Sequence, residues 1–482
     1  MASTASTAAC VFGAVLVSIL SPVSSRSERC FPSKAGFKDV WPFDESAGDF
    51  PKSVDNVDPV FELYSAGNGV PYELDHKNLN ITLDQRKFNP KFATKFIIHG
   101  FGNALNKSVW ITDMRKAFQV NGDYNIILVG WDTAFPHYIQ AVCNSRIVAR
   151  LTVSVIEMLQ ENGLDLSDLH LIGHSLGAHV SSYVGRMMDS NISRITGLDP
   201  AGPWFDTFGT EAKLDPSDAR FVDVIHSNGH LLNFYGGFGL LEQSGHVDFY
   251  PNGGQKQPGC SDGVGGGTET FVDKFFQGTM DDMEESVLSA VGCSHGRAYE
   301  IFIESIKGGP CRFKSYPCPN LAEFERGICT WCGINGCNYA GLHANPHASG
   351  GKQFLQTSNK KPLCGHSVLV AITPAERANA LEGSITMFIQ GSSGSDAVTL
   401  NSGGPIHMWQ GIRWKAVVSV TTDLGDMEYA TLLYKRQGLF SRRRLRVSKL
   451  TIENMNNNRR YSTISEFRIR NEKHVKLMLK EE

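Results

Sequence analysis

The segment LIGHSLGAHV, residues 171–180, decides which fold this sequence predicts. Ser175 stands between Gly173 and Gly177, after an apolar run and before a stretch that suits a helix. A nucleophilic serine on a sharp strand-to-helix turn needs small flanking residues, because the backbone is pinched there. The five-residue pattern alone is weak, since a chain of this composition contains roughly 0.4 matches by chance. The rest of the chain therefore decides between a nucleophile and an ordinary serine.

Predicted strands alternate with helical patterns between residues 94 and 227. The segment NSRIVARLTVSVIEMLQEN (144–162) has apolar residues spaced three and four apart, which indicates one face of a helix. This alternation predicts an α/β fold with a mostly parallel sheet covered on both faces, and functional groups then gather at the carboxyl ends of the strands. The predicted strands are TKFIIHGF (94–101), YNIILVGW (124–131), LHLIGHS (169–175), SRITGLDP (193–200) and RFVDVIHS (220–227).

Residues in the chain order Ser, Asp, His supply the parts of an activated serine. The nucleophile needs a base to take its proton and a carboxylate to orient that base. Asp199 follows a predicted strand in GLDPAGP, whereas the rival Asp223 sits inside the next strand. His295 lies just after Cys293 in GCSHGRAYE, so we predict Ser175, Asp199 and His295 as the catalytic residues. The other histidine candidates are His226, His230 and His246. Of these, His226 and His246 are expected to make hydrogen bonds in the core or in loops.

Two backbone N–H groups are expected to hold the oxyanion that develops during acyl transfer. Leu176 directly follows the nucleophile, and Phe101 follows His99 and Gly100 at the end of the first strand. These are the two positions from which this kind of fold supplies its oxyanion donors.

The segment 260–293, from Cys260 to Cys293, has the composition of a lid. It starts with the Gly-rich stretch SDGVGGGT and goes on as ETFVDKFFQGTMDDMEESVLSAV, which carries two apolar stripes at helical spacing. Amphipathic helices on a Gly hinge beside the candidate histidine predict a cover that shields the site in water and meets lipid when open. A pair of surface helices without mobility is the plain alternative.

The N-terminus predicts export from the cell. Residues 8–20 read AACVFGAVLVSIL, an apolar run followed by small residues, so residues 1–25 are predicted to be a signal peptide. Ten of the 11 cysteines lie beyond it, and an oxidising extracellular compartment favours disulfides among them. Three glycosylation sequons fit the secretory route, at Asn80, Asn106 and Asn191. A zinc site is the alternative for the tightest cysteine cluster, which holds Cys318, Cys329, Cys332 and Cys337.

After about residue 350 the pattern changes to short alternating runs. Runs such as SVLVAIT and RWKAVVSVT are separated by Gly, Ser, Asn and Asp, which predicts an antiparallel β-sandwich. We therefore expect a catalytic domain of residues 26–350 and a sandwich domain of residues 351–482. The formal net charge of −3 gives no overall field that would favour nucleic acid.

Several segments together resemble the animal pancreatic lipase family, which includes lipoprotein and hepatic lipases and lipase-like phospholipases A1. They are KFIIHGF, LIGHSLGAHV, RITGLDPAGP, LDPSDARFVDVIHS, GHVDFYPNGG and CSH, and the likeness covers nearly all of residues 30–482. The resemblance implies an α/β-hydrolase domain, the same Ser-Asp-His triad, and a C-terminal PLAT-type β-sandwich that helps to dock the enzyme on lipid. It also implies three disulfides, namely Cys260–Cys293 at the lid, Cys318–Cys329 and Cys332–Cys337.

The resemblance further implies a structural calcium site in the stretch TEAKLDPSD. Asp215 and Asp218 would be carboxylate ligands and Lys213 would offer its carbonyl oxygen, and such hard oxygen ligands suit Ca²⁺. The glutamate that is usual in the family falls opposite Thr210, with Glu211 one place off. An Asp-Pro-Ser-Asp turn without metal is the alternative.

Four cysteines remain after these implied pairs. The family's N-terminal cysteine pair is reduced to Cys30, and the sequence leaves the partners of all four open. A Cys30–Cys143 bridge is one candidate, and a bridge between Cys311 and Cys364 that ties the junction of the two domains is another.

The tail segment SRRRLRVSK (441–449) carries five basic residues in nine. Lipoprotein-lipase-like members bind sulfated glycans or anionic surfaces through basic patches, so the resemblance implies the same role here. The alternative is a solvated strand edge whose charges block association between sheets. The arginines concerned are Arg442, Arg443, Arg444 and Arg446.

The predicted function is a secreted serine lipase that hydrolyses triacylglycerol esters at lipid–water interfaces through an acyl-enzyme, with no cofactor needed for the chemistry. The lid is longer than in phospholipase A1 members of the family, which favours triacylglycerol. A phospholipase A1 with the same site is the nearest alternative. A non-catalytic lipid-binding or storage protein on the same fold is the other.

Overall fold

The structure is a computed structural model, which describes residues 54–131, 138–207, 209–229, 237–260, 285–309, 311–375, 381–400, 406–408, 412–437 and 444–482. Outside these ranges lie the predicted signal peptide, Cys30, His230, residues 261–284 of the predicted lid, and Arg442 and Arg443. Within these ranges, none of the helices has the length and apolar character needed to cross a membrane.

The first sheet contains eleven of the described strands in the order β10-β9-β11-β8-β7-β6-β5-β3-β4-β1-β2. The seven strands from β11 to β4 in this order pair in parallel, and antiparallel strands flank them on both sides. This arrangement agrees with the predicted α/β fold. The strands are β1 Val60–Tyr64, β2 Tyr72–Leu74, β3 Thr94–Ile98, β4 Asn125–Gly130, β5 Leu169–His174, β6 Arg194–Leu198, β7 Val222–Ile225, β8 Val247–Pro251, β9 Lys314–Pro317, β10 Asn338–Tyr339 and β11 Gly351–Leu355.

Helices bury both faces of this sheet, which explains why its central strands β3 to β8 are buried along almost their whole length. Alternate residues of a strand point to opposite faces. Accordingly, Leu171 joins the core beneath α3 and α4, whereas its neighbour Ile172 joins the core beneath α2 and α5. The helices are α1 Val54–Val57, α2 Val109–Asn121, α3 Tyr138–Glu161, α4 Leu176–Met187, α5 Glu285–Lys307 and α6 Leu321–Glu325. The helix predicted over 144–162 lies almost entirely inside α3.

The second sheet contains ten antiparallel strands, and it fits a β-sandwich. Strands β12, β16, β18, β19 and β20 form one group, the other five form a second, and the β19–β21 pair joins them. Apolar residues of both groups share one core, among them Val370, Ile389 and Leu450. The strands are β12 His366–Pro374, β13 Leu381–Gly391, β14 Ser395–Thr399, β15 Ile406–Met408, β16 Trp414–Val420, β17 Met427–Arg436, β18 Arg444–Asn454, β19 Arg460–Thr463, β20 Phe467–Arg470 and β21 His474–Glu481.

The two sheets meet through a small shared core and several hydrogen bonds. Tyr316 of β9 donates its hydroxyl to the carbonyl oxygen of Met455 at 2.8 Å, and both residues belong to one apolar cluster. The bridge Cys311–Cys364 links the chain after α5 to the chain before β12. The other bridges in the part of the chain that the structure describes are Cys260–Cys293, Cys318–Cys329 and Cys332–Cys337. Cysteines in bridges offer no thiolate, so the zinc alternative for the last two pairs is wrong.

Candidate active site

Ser175 occupies a strained turn between β5 and α4. Its φ of 56° and ψ of −122° place a non-glycine residue in a region that few side chains tolerate. A Cβ on Gly173 would lie 2.1 Å from the carbonyl oxygen of Gly177, and one on Gly177 would lie 2.1 Å from that of Ile98. Only glycine fits at both positions, so the pattern G-x-S-x-G here builds the predicted turn.

Asp199 lies at the end of the neighbouring strand and is fully buried. Strands β5 and β6 are in register, with His174 opposite Leu198, so Ser175 and Asp199 follow adjacent strand ends. Asp199 Oδ1 accepts hydrogen bonds from the N–H groups of Ser227 at 2.7 Å and Asn228 at 3.1 Å. These bonds fix one carboxylate oxygen and leave the other, Oδ2, for a histidine.

His295 on α5 takes that second oxygen, with its Nδ1 2.6 Å from Asp199 Oδ2. The carboxylate therefore holds the tautomer in which Nδ1 carries the proton and Nε2 does not, which is the tautomer that a general base needs. The His295 ring centroid is 4.5 Å from that of His174, the residue directly before Ser175. The structure thus brings together the parts of the chain that carry all three predicted catalytic residues.

The rival residues from the sequence have other partners. Asp223 is buried and pairs with Arg194 at 2.7 Å and with the Thr196 hydroxyl at 2.9 Å. His226 bonds to Asp248 at 2.8 Å and to a carbonyl at 2.7 Å, deep in the core. His246 Nδ1 accepts a backbone N–H at 3.0 Å. Each of these three side chains is thus bonded to groups other than Asp199 and His295.

His174 is a site residue that the sequence reasoning missed, although it lies within the motif itself. It is buried, its Nε2–H donates to the His295 carbonyl oxygen at 3.3 Å, and its Nδ1 has no hydrogen-bond partner among the described residues. Burial, and then the nearby charge of His295, hold the pKa of His174 well below its usual range. A neutral His174 therefore adds no positive charge beside His295, the residue that the predicted mechanism would protonate.

The predicted oxyanion donors lie around the same turn. Leu176 begins α4, where backbone N–H groups have no partner inside the helix and the helix dipole favours negative charge. A Cβ on Gly100 would be only 2.9 Å from the Leu176 nitrogen, so the turn that carries Phe101 abuts the nucleophile turn. His99 braces that turn, because it accepts the Trp131 N–H at Nε2 (3.3 Å) and donates Nδ1–H to the Gly100 carbonyl oxygen (2.9 Å). The roles of Leu176 and Phe101 stay predictions.

The loop predicted to hold calcium is bound to α4 by Arg186. The Arg186 guanidinium donates to the Asp218 carboxylate and to the Lys213 carbonyl oxygen, each at 2.6 Å, and also to the carbonyl oxygens of Thr210 and Glu211. Burial raises the pKa of the Asp218 carboxyl, and the hydrogen bond from Arg186 opposes that rise. Because a cationic side chain already uses the oxygens that an ion would need, the loop in this arrangement does not fit calcium. Asp215 instead caps the turn, where it accepts the Ser217 N–H at 2.9 Å.

The remaining predicted sites are the lid bridge, the three sequons and Cys143. The bridge Cys260–Cys293 ends two residues before His295. Asn80, Asn106 and Asn191 are all exposed, so each is accessible to a glycosyl group. Cys143 is buried in α3.

A family model described as Lipase matches residues 29–363. This chain belongs to the lipase family. The first sheet with its strand-turn-helix serine is the α/β-hydrolase fold that this membership implies, which confirms that part of the fold prediction. Family membership also supports a carboxylic ester hydrolase that acts in lipid metabolism.

Curated relatives agree with this assignment. Pancreatic lipase-related protein 2 of Mus musculus is 33% identical over 394 residues, which cover 79% of this chain and 79% of the relative. The human protein of that name is 32% identical over 426 residues, covering 86% of this chain and 87% of the relative. A human relative named inactive pancreatic lipase-related protein 1 is 34% identical over 380 residues, covering 76% and 78% respectively. Because one relative bears that name, the case for activity in this lipase-family chain depends on the geometry of its own site.

Proposed function

We propose that this chain is a secreted serine lipase that hydrolyses triacylglycerol esters at lipid–water interfaces through an acyl-enzyme. The observation that carries the proposal is the pair formed by the buried Asp199 and the part-buried His295, beside a strained serine turn. Strain of this kind costs about 1–3 kcal/mol and persists at functional sites. Four disulfides support an oxidising, extracellular setting.

In the proposed reaction, Ser175 Oγ attacks the ester carbonyl carbon while His295 Nε2 takes the serine proton. The N–H groups of Leu176 and Phe101 hold the oxyanion, and Asp199 stabilises the imidazolium through Nδ1–H. The bond to the glycerol oxygen then breaks, and Nε2–H returns the proton to that leaving oxygen. In the second half, His295 Nε2 takes a proton from water as the water oxygen attacks the acyl carbon. The bond to Ser175 Oγ then breaks, Nε2–H returns the proton to Oγ, and the fatty acid is released.

The experiment that tests this proposal is fatty-acid release from emulsified triolein and from phosphatidylcholine vesicles. The purified chain is compared with Ser175→Ala on both substrates. Release from triolein that disappears in the variant is the expected result. Faster Ser175-dependent release from phosphatidylcholine would instead identify a phospholipase A1. No Ser175-dependent release from either substrate would favour a non-catalytic lipid-binding or storage protein.

The second sheet is proposed to be a PLAT-type sandwich that docks the enzyme on lipid or on sulfated glycans. Arg444 and Arg446 of β18 are exposed and lie directly opposite Arg470 and Arg468 of β20. Like charges directly opposite each other destabilise a strand pair. These four arginines therefore favour an anionic partner that neutralises their positive charge. Arg446 also pairs with Glu466, which reduces the net charge of the patch.

A further inference from the structure

Gln257 is a buried amide whose hydrogen bonds are directed at the surroundings of the triad. It lies between β8 and Cys260, and its side chain is 3% exposed. Its Nε2 donates to the carbonyl oxygens of Ser227 at 3.0 Å and Pro251 at 2.9 Å, while its Oε1 accepts from Asn252 at 2.9 Å. A buried amide with both N–H groups and its oxygen bonded has a single orientation, so Gln257 is a rigid link.

The side chain of Gln257 is bonded to Ser227, in the loop that binds the Asp199 carboxylate. Ser227, whose carbonyl oxygen Gln257 binds, donates its own N–H to Asp199 Oδ1 at 2.7 Å. The Ser227 hydroxyl also donates to the His295 carbonyl oxygen at 3.3 Å. Ser227 therefore touches both members of the Asp-His pair, and Gln257 holds Ser227.

The backbone of Gln257 is bonded to α5, the helix that carries His295. The Gln257 backbone N–H donates to the Ser294 hydroxyl at 3.0 Å, and Ser294 directly precedes His295. The Ser227 loop, the helix α5 and the segment before Cys260 come from three separate parts of the chain. Gln257 lies in the last of these and is bonded to the other two.

We propose that Gln257 is a positioning residue that sets the distance between the Asp199 carboxylate and the His295 ring. The proposal rests on the function proposed above. Without the Gln257 amide, the Ser227 loop would lose its bond to the segment whose backbone holds Ser294, and the 2.6 Å contact between Asp199 and His295 would loosen. Misplacement of a reacting group by 1 Å costs a rate factor on the order of 100.

The test compares Gln257→Leu with a matched control in the same chain. Gln353 of β11 is fully buried, donates Nε2 to the carbonyl oxygens of Ser349 (3.0 Å) and Gly350 (2.8 Å), and accepts at Oε1 from Ser315. Gln353→Leu thus removes the same kinds of bond, and none of those bonds involves Ser227, Asp199 or α5. Both variants are expected to lower the melting temperature. Only Gln257→Leu is expected to lower kcat on soluble p-nitrophenyl butyrate, by about tenfold with KM unchanged.

Two further measurements keep the proposal falsifiable if Gln257→Leu folds poorly or if turnover is absent. Ser227→Ala removes only the hydroxyl bond to His295, and it is expected to lower kcat by about threefold. In one-dimensional proton NMR, the downfield resonance of the His295 Nδ1–H should shift in Gln257→Leu and stay in place in Gln353→Leu. Equal kcat and equal resonances in the two leucine variants, with Ser227→Ala like wild type, would overturn the positioning role. An inactive wild type with the resonance still dependent on Gln257 would overturn only the proposed function.

Discussion

Replacement of Gly100 by alanine tests the oxyanion part of the site. A Cβ there would lie 2.6 Å from the Ser175 Cβ, 2.8 Å from the His174 carbonyl oxygen and 2.9 Å from the Leu176 nitrogen. Ordinary contact begins at 3.4 Å, so the Gly100 turn and the nucleophile turn must separate by 0.8 Å along the tightest contact. Both predicted donors lie on these two turns. Loss of one such donor costs a factor of about 10²–10³ in kcat, so we expect Gly100→Ala to lower kcat by about 100-fold.

The assay is hydrolysis of p-nitrophenyl butyrate at saturating substrate, with the circular dichroism spectrum checked for native fold. Gly69→Ala is the matched control, because a Cβ at Gly69 would meet no atom within 4 Å. We expect this control to keep the wild-type kcat. A folded Gly100→Ala variant with kcat within threefold of wild type would refute the argument that these turns supply the oxyanion donors.

Three more predictions follow from charges in the structure. Calcium chelation by EDTA should leave the melting temperature of the wild type unchanged. Arg186→Met should lower the melting temperature, and added calcium should then raise it. A lower melting temperature of the wild type in EDTA would contradict the assignment of Arg186 as the loop's cation. Burial lowers the pKa of His179 to about 3, so between pH 6.5 and 3 the unfolded chain binds a proton that the folded chain does not, and stability falls as pH falls. Urea unfolding of His179→Gln should show a slope against pH that is smaller by about 1.4 kcal/mol per pH unit, and an unchanged slope would show that His179 is not the group involved. Charge reversal of Arg468 and Arg470 to glutamate should lower the salt concentration that elutes the chain from a heparin column, while reversal of the exposed Lys91 and Lys107 should not.

Most of the main-chain architecture was predictable because it depends on short-range patterns. Strand β5 and helix α4 follow from the apolar run before Ser175 and the helical spacing after it. Asp199 was predictable because a carboxylate at a strand end meets its neighbours across the sheet edge. The calcium prediction did not consider that Arg186 binds the oxygens of this loop. Arg186 lies 24 positions before Thr210, and only the packing of α4 on the loop brings the two residues together.

By itself, the sequence determined the parts of the site that depend on residue type and local spacing: a serine between glycines, an aspartate after a strand and a histidine beside a cysteine. Each is a local property, since backbone strain and strand termination act within a few residues. The tertiary structure alone decided which side chains surround these residues. His174 became a neutral donor to His295, Gln257 became a link between acid and base, and Arg186 took the oxygens of the loop after β6. These outcomes depend on burial and on contacts between distant segments, because the energy of a buried polar group is set by the partners that the fold brings to it.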